Sequence, residues 1–445
     1  MFESISMFPR PSLRKWPFPA LPLLLSSSLL VTAGCGNTPA PETQGELQPV
    51  PQPAQPVFVT SPPSPGKNSQ AQASIQLASA EHPAGERPEE GSAEWLLMEI
   101  AHLRNAPVDL VRQPVPGKNG EYEQVRLTPE QAAQEQLRRH EKTVELAIQA
   151  ISKTHENPQA APFFNSAVHY LSDARLQLAL AGNKEQTQLL DENAEALFTR
   201  DPTSFAAMDA ASHMMELTHQ LADRHARESP EWAMAYARQT RLFAERFPQE
   251  TSQAAVNVIA AGRLCERLKL DEEAEACLSV IDRIAPNSPY SEQVAGSLRR
   301  LRLVNQPLVE FGGSTFDGSF TSIDRYHGKA VLIAFWASNS AQFRRDLPHL
   351  QAVLARSPEK ITAIGVNLDR DERIVEQFLQ ETGVTWKNIF YSDPEKRGSR
   401  NVIARHYGVI NVPEYWLVDA GGIVRSIHLD MQHLEQQVTE ALAQK

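Results

Sequence analysis

Residues 330–343 read Ala330-Val331-Leu332-Ile333-Ala334-Phe335-Trp336-Ala337-Ser338-Asn339-Ser340-Ala341-Gln342-Phe343. The first seven form an unbroken apolar run, the pattern of a strand buried on both faces. A short polar turn follows. Ser340 is suited to cap a helix, because its hydroxyl oxygen accepts from a first-turn N–H. A helix is expected from Gln342 to Leu354. Beyond it the pattern gives a strand at Ile361–Asn367 and a helix at Asp371–Thr382 with Ile374 and Phe378 on one face. A short extended piece at Trp386–Phe390 and a helical stretch at Ser399–Tyr407 come next. Tyr415–Val418, the turn Asp419-Ala420-Gly421-Gly422 and Ile423–His428 make a hairpin, and Leu434–Ala443 a last helix. Strands alternating with helices mark an α/β domain.

The stretch Phe335-Trp336-Ala337 through Asp346 and Pro348 resembles the active-site turn of membrane-anchored thioredoxin-like proteins of the TlpA/ResA type, in the AhpC/TSA-redoxin superfamily. Those proteins read F-W-A-x-W-C-x-x-C-x-x-E-x-P there. Two further stretches carry the resemblance: Phe316-Asp317-Gly318 with Tyr326-His327-Gly328-Lys329, and Tyr407-Gly408-Val409 leading to Val412-Pro413. It covers 305–445 and implies a thioredoxin-like fold, with Pro413 at the family's cis-proline position facing the turn. Glu414 stands where the family often has Thr, which would alter the polarity of the rim.

The residues that would carry the chemistry are different. Such an enzyme needs a thiolate at a helix N-terminus, where the dipole lowers the thiol pKa. It needs a second cysteine to resolve the mixed disulfide. The family's two cysteine positions are Ser340 and Phe343. A serine hydroxyl forms no disulfide. Nor does a general base stand near Ser340 in the sequence: His349 is on another side of the expected helix, and no G-x-S-x-G elbow is present. Asp346 matches the family's acidic position, reduced here to a charge in the first helical turn. No catalytic residue is therefore assigned. The groove candidates are Trp336, Ser340, Phe343, Asp346, Val412 and Pro413, as a retained frame for an extended peptide.

Residues 92–304 are expected to be α-helical. Thr128-Pro129-Glu130-Gln131 is a capping box with proline at the first helical position. Breakers at Asn157-Pro158, Ala181-Gly182, Asp201-Pro202, Ser229-Pro230, Phe247-Pro248 and Pro286-Asn287 cut helices of ordinary length. Ala261-Gly262, Cys265, Ala274, Leu278 and Pro286 fall at the spacings of a tetratricopeptide repeat. The fold class is thus multidomain, a tetratricopeptide-like helical domain followed by an α/β thioredoxin-like domain. The helical part reads either as a concave protein-binding surface or as a spacer packed on the next domain.

The three cysteines are Cys35, Cys265 and Cys277. The last two lie on the two helices of one hairpin, and three readings stand: a disulfide, which an exported protein permits; two buried thiols; or a redox pair. Residues 1–35 read as a signal, with Arg10, Arg14 and Lys15 before an apolar run from Leu21 to Val31. Thr32-Ala33-Gly34-Cys35 resembles a bacterial lipobox, implying lipidation of Cys35 and an envelope location on the periplasmic side. Ordinary signal cleavage and an uncleaved anchor are the other readings. Residues 36–91 are a Pro/Gln/Ser-rich spacer too poor in apolar residues to offset ordering entropy.

The net charge is −11, with no basic stripe beyond the first fifteen residues, so nucleic acid is not an expected partner. His213, His219 and His225 are six apart and point apart on a helix, so neither metal nor cofactor is expected. The expected function is a redox-inactive, lipid-anchored protein- or peptide-binding module. The alternatives are a TlpA/ResA-type thiol–disulfide oxidoreductase and a scaffold capped by the last domain.

Overall fold

The structure, a computed structural model, describes residues 88–114, 122–309 and 311–443. The leader with Cys35, and nearly all of the spacer, lie outside the described residues. The helical part opens with α1 (Ala93–Asn105), capped by Ser92, whose hydroxyl accepts from Trp95 N. A short antiparallel hairpin follows, β1 (Leu110–Pro114) and β2 (Tyr122–Arg126). It interrupts a region read as wholly helical. Then come α2 (Pro129–Thr154), α3 (Ala161–Leu180), α4 (Lys184–Arg200), α5 (Phe205–His225), α6 (Glu231–Arg246), α7 (Thr251–Arg267), α8 (Asp271–Ile284) and α9 (Ser291–Leu301). Each breaker in the sequence falls between two of them. The capping box closes as expected: Thr128 Oγ1 accepts from Gln131 N, and Gln131 Oε1 accepts from Thr128 N.

Small residues set the α7/α8 hairpin. A Cβ on Gly262 would sit 3.0 Å from Leu278 Cδ2 and 3.3 Å from Cys277 Cβ. The α/β part contains β3 (Gly312–Ser314), β4 (Phe320–Ser322), β5 (Ala330–Trp336), α10 (Ala341–Arg356), β6 (Ile361–Asn367), α11 (Glu372–Thr382), β7 (Lys387–Ile389), α12 (Val402–His406), β8 (Glu414–Val418), β9 (Val424–Ser426) and α13 (Leu434–Ala443). Its main sheet has the order β7-β6-β5-β8-β9. β5 pairs with β6 in parallel and with β8 antiparallel. On α11 the buried apolar residues are Val375 and Phe378, whereas Ile374 is half exposed. Phe378 is on the face expected, and Val375 rather than Ile374 joins it there.

β5 explains why its run is unbroken. Val331, Ile333 and Phe335 belong to a core continuous with the helical part. Ala330, Leu332, Ala334 and Trp336 belong to a second core under α10, α11 and α13. The helical and α/β parts therefore share one apolar interior. Their contact is sealed where α9 meets the loop after α12. A Cβ on Gly296 would stand 2.6 Å from Gly408 N and 2.8 Å from Arg405 O. Gly408 itself has φ +62°, the left-handed region that glycine adopts at little cost.

Candidate functional site

The sheet register places the two segments of interest side by side. Phe335 pairs with Glu414 at the end of the β5/β8 ladder. The turn 337–340 and the loop 408–413 therefore leave the same end of adjacent strands. The Val412–Pro413 peptide bond is cis.

The turn is held by its own hydrogen bonds. Ser338 donates from N (2.8 Å) and Oγ (2.9 Å) to the Asp369 carboxylate. Asn367 Nδ2 donates to the same carboxylate at 2.7 Å. Arg344 Nε donates to Ser338 O at 3.2 Å. Ser340 caps α10 as its sequence suggests, with Oγ accepting from Phe343 N at 3.2 Å. Its hydroxyl is occupied by the backbone.

The six groove candidates separate into two sets. Trp336 and Phe343 are fully buried and do not line a groove; they fill the core beneath the turn. Their rings stack with centroids 4.9 Å apart and planes 20° apart. Phe378 adds a third ring 4.9 Å from Trp336, and Tyr415 a fourth 6.5 Å from Phe343. The indole N–H is satisfied by Asn388 Oδ1 at 3.0 Å. Gly365 makes room for it, since a Cβ there would lie 2.8 Å from Trp336 Nε1. Asp346 is also buried, past the first turn of α10 rather than in it. It accepts from Tyr415 Oη at 2.9 Å and Gln342 Nε2 at 2.7 Å. Burial, with the Asp346 carboxylate second, pushes the Tyr415 phenol up. Ser340, Val412 and Pro413 form the second set, half-buried at the surface. Beside them Asn339, Gln342, Ile410 and Asn411 are exposed.

Glu414 does not reach a peptide-facing rim. It turns toward the helical part, with its carboxylate 3.6 Å from Arg300 Nε and accepting from Trp416 Nε1 at 2.7 Å. Arg300 is itself buried. It donates to Glu266 at 2.6 Å, Gly408 O at 2.7 Å and Tyr407 O at 3.1 Å. Burial raises the Glu414 pKa, and Arg300 opposes the rise. Arg299 donates to His406 O and Arg405 to Glu292. Residue-by-residue reading missed this clamp. The one signal available was an arginine among the small and apolar residues of that face of α9.

Cys265 and Cys277 are fully buried and unbridged. Each sulfur faces a carbonyl of α6, Cys265 at 4.0 Å from Ala233 O and Cys277 at 3.7 Å from Ala237 O. Burial pushes their thiols up to about 12 and about 11. Thiolate, the reactive form, is scarce in such thiols at neutral pH.

The family model described as thioredoxin-like matches residues 328–424. Thioredoxin-like protein YneN of Bacillus subtilis is 24% identical over 127 residues, covering 28% of this chain and 70% of YneN. Thiol-disulfide oxidoreductase ResA of Halalkalibacterium halodurans is 23% identical over 131 residues, 29% of this chain and 70% of ResA. Thiol:disulfide interchange protein HelX of Rhodobacter capsulatus is 30% identical over 116 residues, 26% of this chain and 61% of HelX. Among solved structures, the thioredoxin domain of a thiol-disulfide oxidoreductase from Bacteroides vulgatus is 21% identical, with a TM-score of 0.29, covering 31% of this chain and 97% of that one.

Proposed function

From a C-terminal domain that is thioredoxin-like and contains no cysteine, we propose that this protein binds a protein or peptide partner at the cell envelope without catalysing thiol exchange. One observation carries the reading: both redox positions are put to structural use. Ser340 spends its hydroxyl on a helix cap, and Phe343 is locked into an aromatic core. Cys265 and Cys277 are buried with raised pKa values, so neither of these two supplies the missing nucleophile.

The partner-binding edge in this reading is the exposed end of the β5/β8 pair: Asn339, Ser340, Ile410, Asn411, Val412 and Pro413. It joins a rigid turn to a loop clamped by the helical part. Rigid surfaces bind with less ordering cost than mobile ones. Lipidation at Cys35 and the spacer after it would hold the folded part clear of a membrane surface. No helix among the described residues is long and apolar enough to cross one.

Three measurements test the proposal. In an insulin-reduction assay with dithiothreitol the protein should not accelerate turbidity; activity that disappears in Cys265→Ala would establish an oxidoreductase instead. Partners cross-linked in envelope preparations should be lost from Ile410→Glu/Val412→Glu and retained by Tyr122→Glu. Equal capture by both variants removes this edge as the binding site. Intact-mass analysis of the membrane-extracted protein should report acyl chains on Cys35, and an unmodified or cleaved residue there removes the anchor.

A further inference from the structure

The helical part carries a polar cluster that partner binding at the sheet end does not use. His169 projects from α3, and Asp209 and His213 from α5. His169 Nδ1 is 3.1 Å from Asp209 Oδ1 and 3.3 Å from Oδ2. His213 lies one turn after Asp209, its Nδ1 3.6 Å from Asp209 Oδ2. The two imidazoles meet edge to face with centroids 5.2 Å apart. One ligand-type atom from each of the three residues lies within 4.8 Å of the others. Asp209 is 8% exposed, while the His213 and His169 side chains are 13% and 27% exposed. Protein walls the cluster, and solvent reaches it chiefly at His169.

We infer that His169, Asp209 and His213 form a binding site for a divalent first-row transition ion such as Zn²⁺. The donor chemistry fits: imidazole nitrogens with a carboxylate suit these ions, and three protein ligands leave a coordination position open. Asp209 and His213 are four apart on one helix, which puts both on the same face. The backbone sets the His213 tautomer. Its Nδ1 lies 2.8 Å from Asp209 O, and a carbonyl only accepts, so Nδ1 carries the hydrogen and the Nε2 lone pair is free to coordinate. Holding a ligand histidine through its other nitrogen is what fixes ring and tautomer at metal centres. The charge is also suitable. Asp173, four residues after His169, is ion-paired with Arg104. Asp209 therefore remains as the carboxylate between the two rings. On binding, the ion would replace the contact between His169 Nδ1 and the Asp209 carboxylate.

The test uses the full chain freed of metal with a chelator. Calorimetric titration with Zn²⁺ should show one tight site. His169→Gln and Asp209→Asn should each weaken it by roughly 100-fold or more, beyond the roughly 10- to 100-fold loss that disturbing a supporting residue causes. His433→Gln, an exposed histidine elsewhere, should leave it unchanged. Equal Zn²⁺ affinity in all four proteins overturns the site. A second reading needs no variant: Co²⁺ added to the wild-type chain should develop the intense visible bands of a low-symmetry, nitrogen-ligated ion. A spectrum matching the aqua ion overturns the inference whether or not the variants fold.

Discussion

The ring of Phe343 lies flat against the ring of Trp336, with 4.9 Å between centroids and both side chains fully buried. A resolving thiol at position 343 would have needed approach from a substrate-bound sulfur. The benzyl group instead adds apolar volume to a four-ring cluster. Burying a phenylalanine and stacking it are both stabilising, and truncation to alanine leaves a cavity. Phe343→Ala should therefore lower unfolding stability by ~3–5 kcal/mol, measured by chemical denaturation. A loss below ~1 kcal/mol, the scale of a surface substitution, would mean that the ring is not part of the core.

Ser340→Cys should restore half of the lost chemistry. A thiol there would stand at the N-terminus of α10, where the free N–H groups and the helix dipole favour thiolate. Its pKa should fall below the ordinary ~8.5, read from the pH dependence of iodoacetamide alkylation. Cys265 and Cys277, with thiols near 12 and 11, should stay silent in the folded protein and so provide the background. An alkylation midpoint above the ordinary value would show that the turn no longer activates a thiol.

How far these features could be read from the sequence depends on where their physics resides. Local physics was readable. The seven-residue apolar run, the Thr128 and Ser340 caps, and the Pro and Gly breakers all appear where they were expected, because each depends on a few neighbouring residues. Non-local physics was not. Trp336 and Phe343 look like groove residues beside a lost active site, yet the depth of β5 within two cores decides that they are interior. Glu414 resembles a rim substitution until Arg300, contributed by another part of the chain, turns it inward. Along the sequence His213 aligns only with His219 and His225. Its neighbours Asp209 and His169 come from the same face and from α3, and no single-helix spacing reveals that pairing. The β1/β2 hairpin is not legible because its strands are five residues each and β2 is mostly exposed, so it shows no clear alternation of apolar residues.

Gly296→Ala gives a test in which two effects oppose. Inside a helix, alanine for glycine normally gains ~1 kcal/mol. Here the added methyl would meet the backbone of Gly408 and Arg405 at 2.6 and 2.8 Å, and backbone cannot rotate away. Overpacking of this kind costs ~1–3 kcal/mol, so the net effect should be destabilising. The α9/α12 contact should loosen, with faster proteolysis between 302 and 312 than in the wild type. Unchanged cleavage and a raised Tm would show that the two parts are not in close contact at this point.

His219 should make stability depend on pH near neutrality. Its imidazole pKa is raised, first by its pairing with Glu216, whose carboxylate lies 3.9 Å from Nδ1, against burial, and further by Asp223. A raised folded-state pKa stabilises fully below the unfolded value, ~6.5 for histidine, and the benefit is lost as pH rises through the folded value. The wild type should therefore exceed His219→Gln in stability most below the unfolded value of ~6.5, with the gap closing as pH rises above it. A gap that widens with pH would contradict the charge pairing.

Arg300→Met tests the clamp between the two parts. The guanidinium is buried with Glu266 and Glu414 and holds two loop carbonyls. Removing one member of a buried ionic group strands the others, typically costing ~3–5 kcal/mol. Replacing all three by apolar or neutral residues, as in Arg300→Met/Glu266→Gln/Glu414→Gln, should recover much of that loss, because no unpaired charge then remains. The single variant should also respond to acid in a particular direction. Burial already raises the Glu414 pKa, and Arg300 restrains it; without Arg300 it rises further. A raised carboxyl pKa favours the folded state below the unfolded value of ~4.3 and loses that contribution as pH climbs through the folded one. The deficit of Arg300→Met relative to wild type should therefore shrink as pH falls from neutral toward the unfolded carboxyl value of ~4.3, as Glu414 takes up its proton. A deficit that is constant across that range would place the cost in the lost carbonyl hydrogen bonds rather than in the stranded charge.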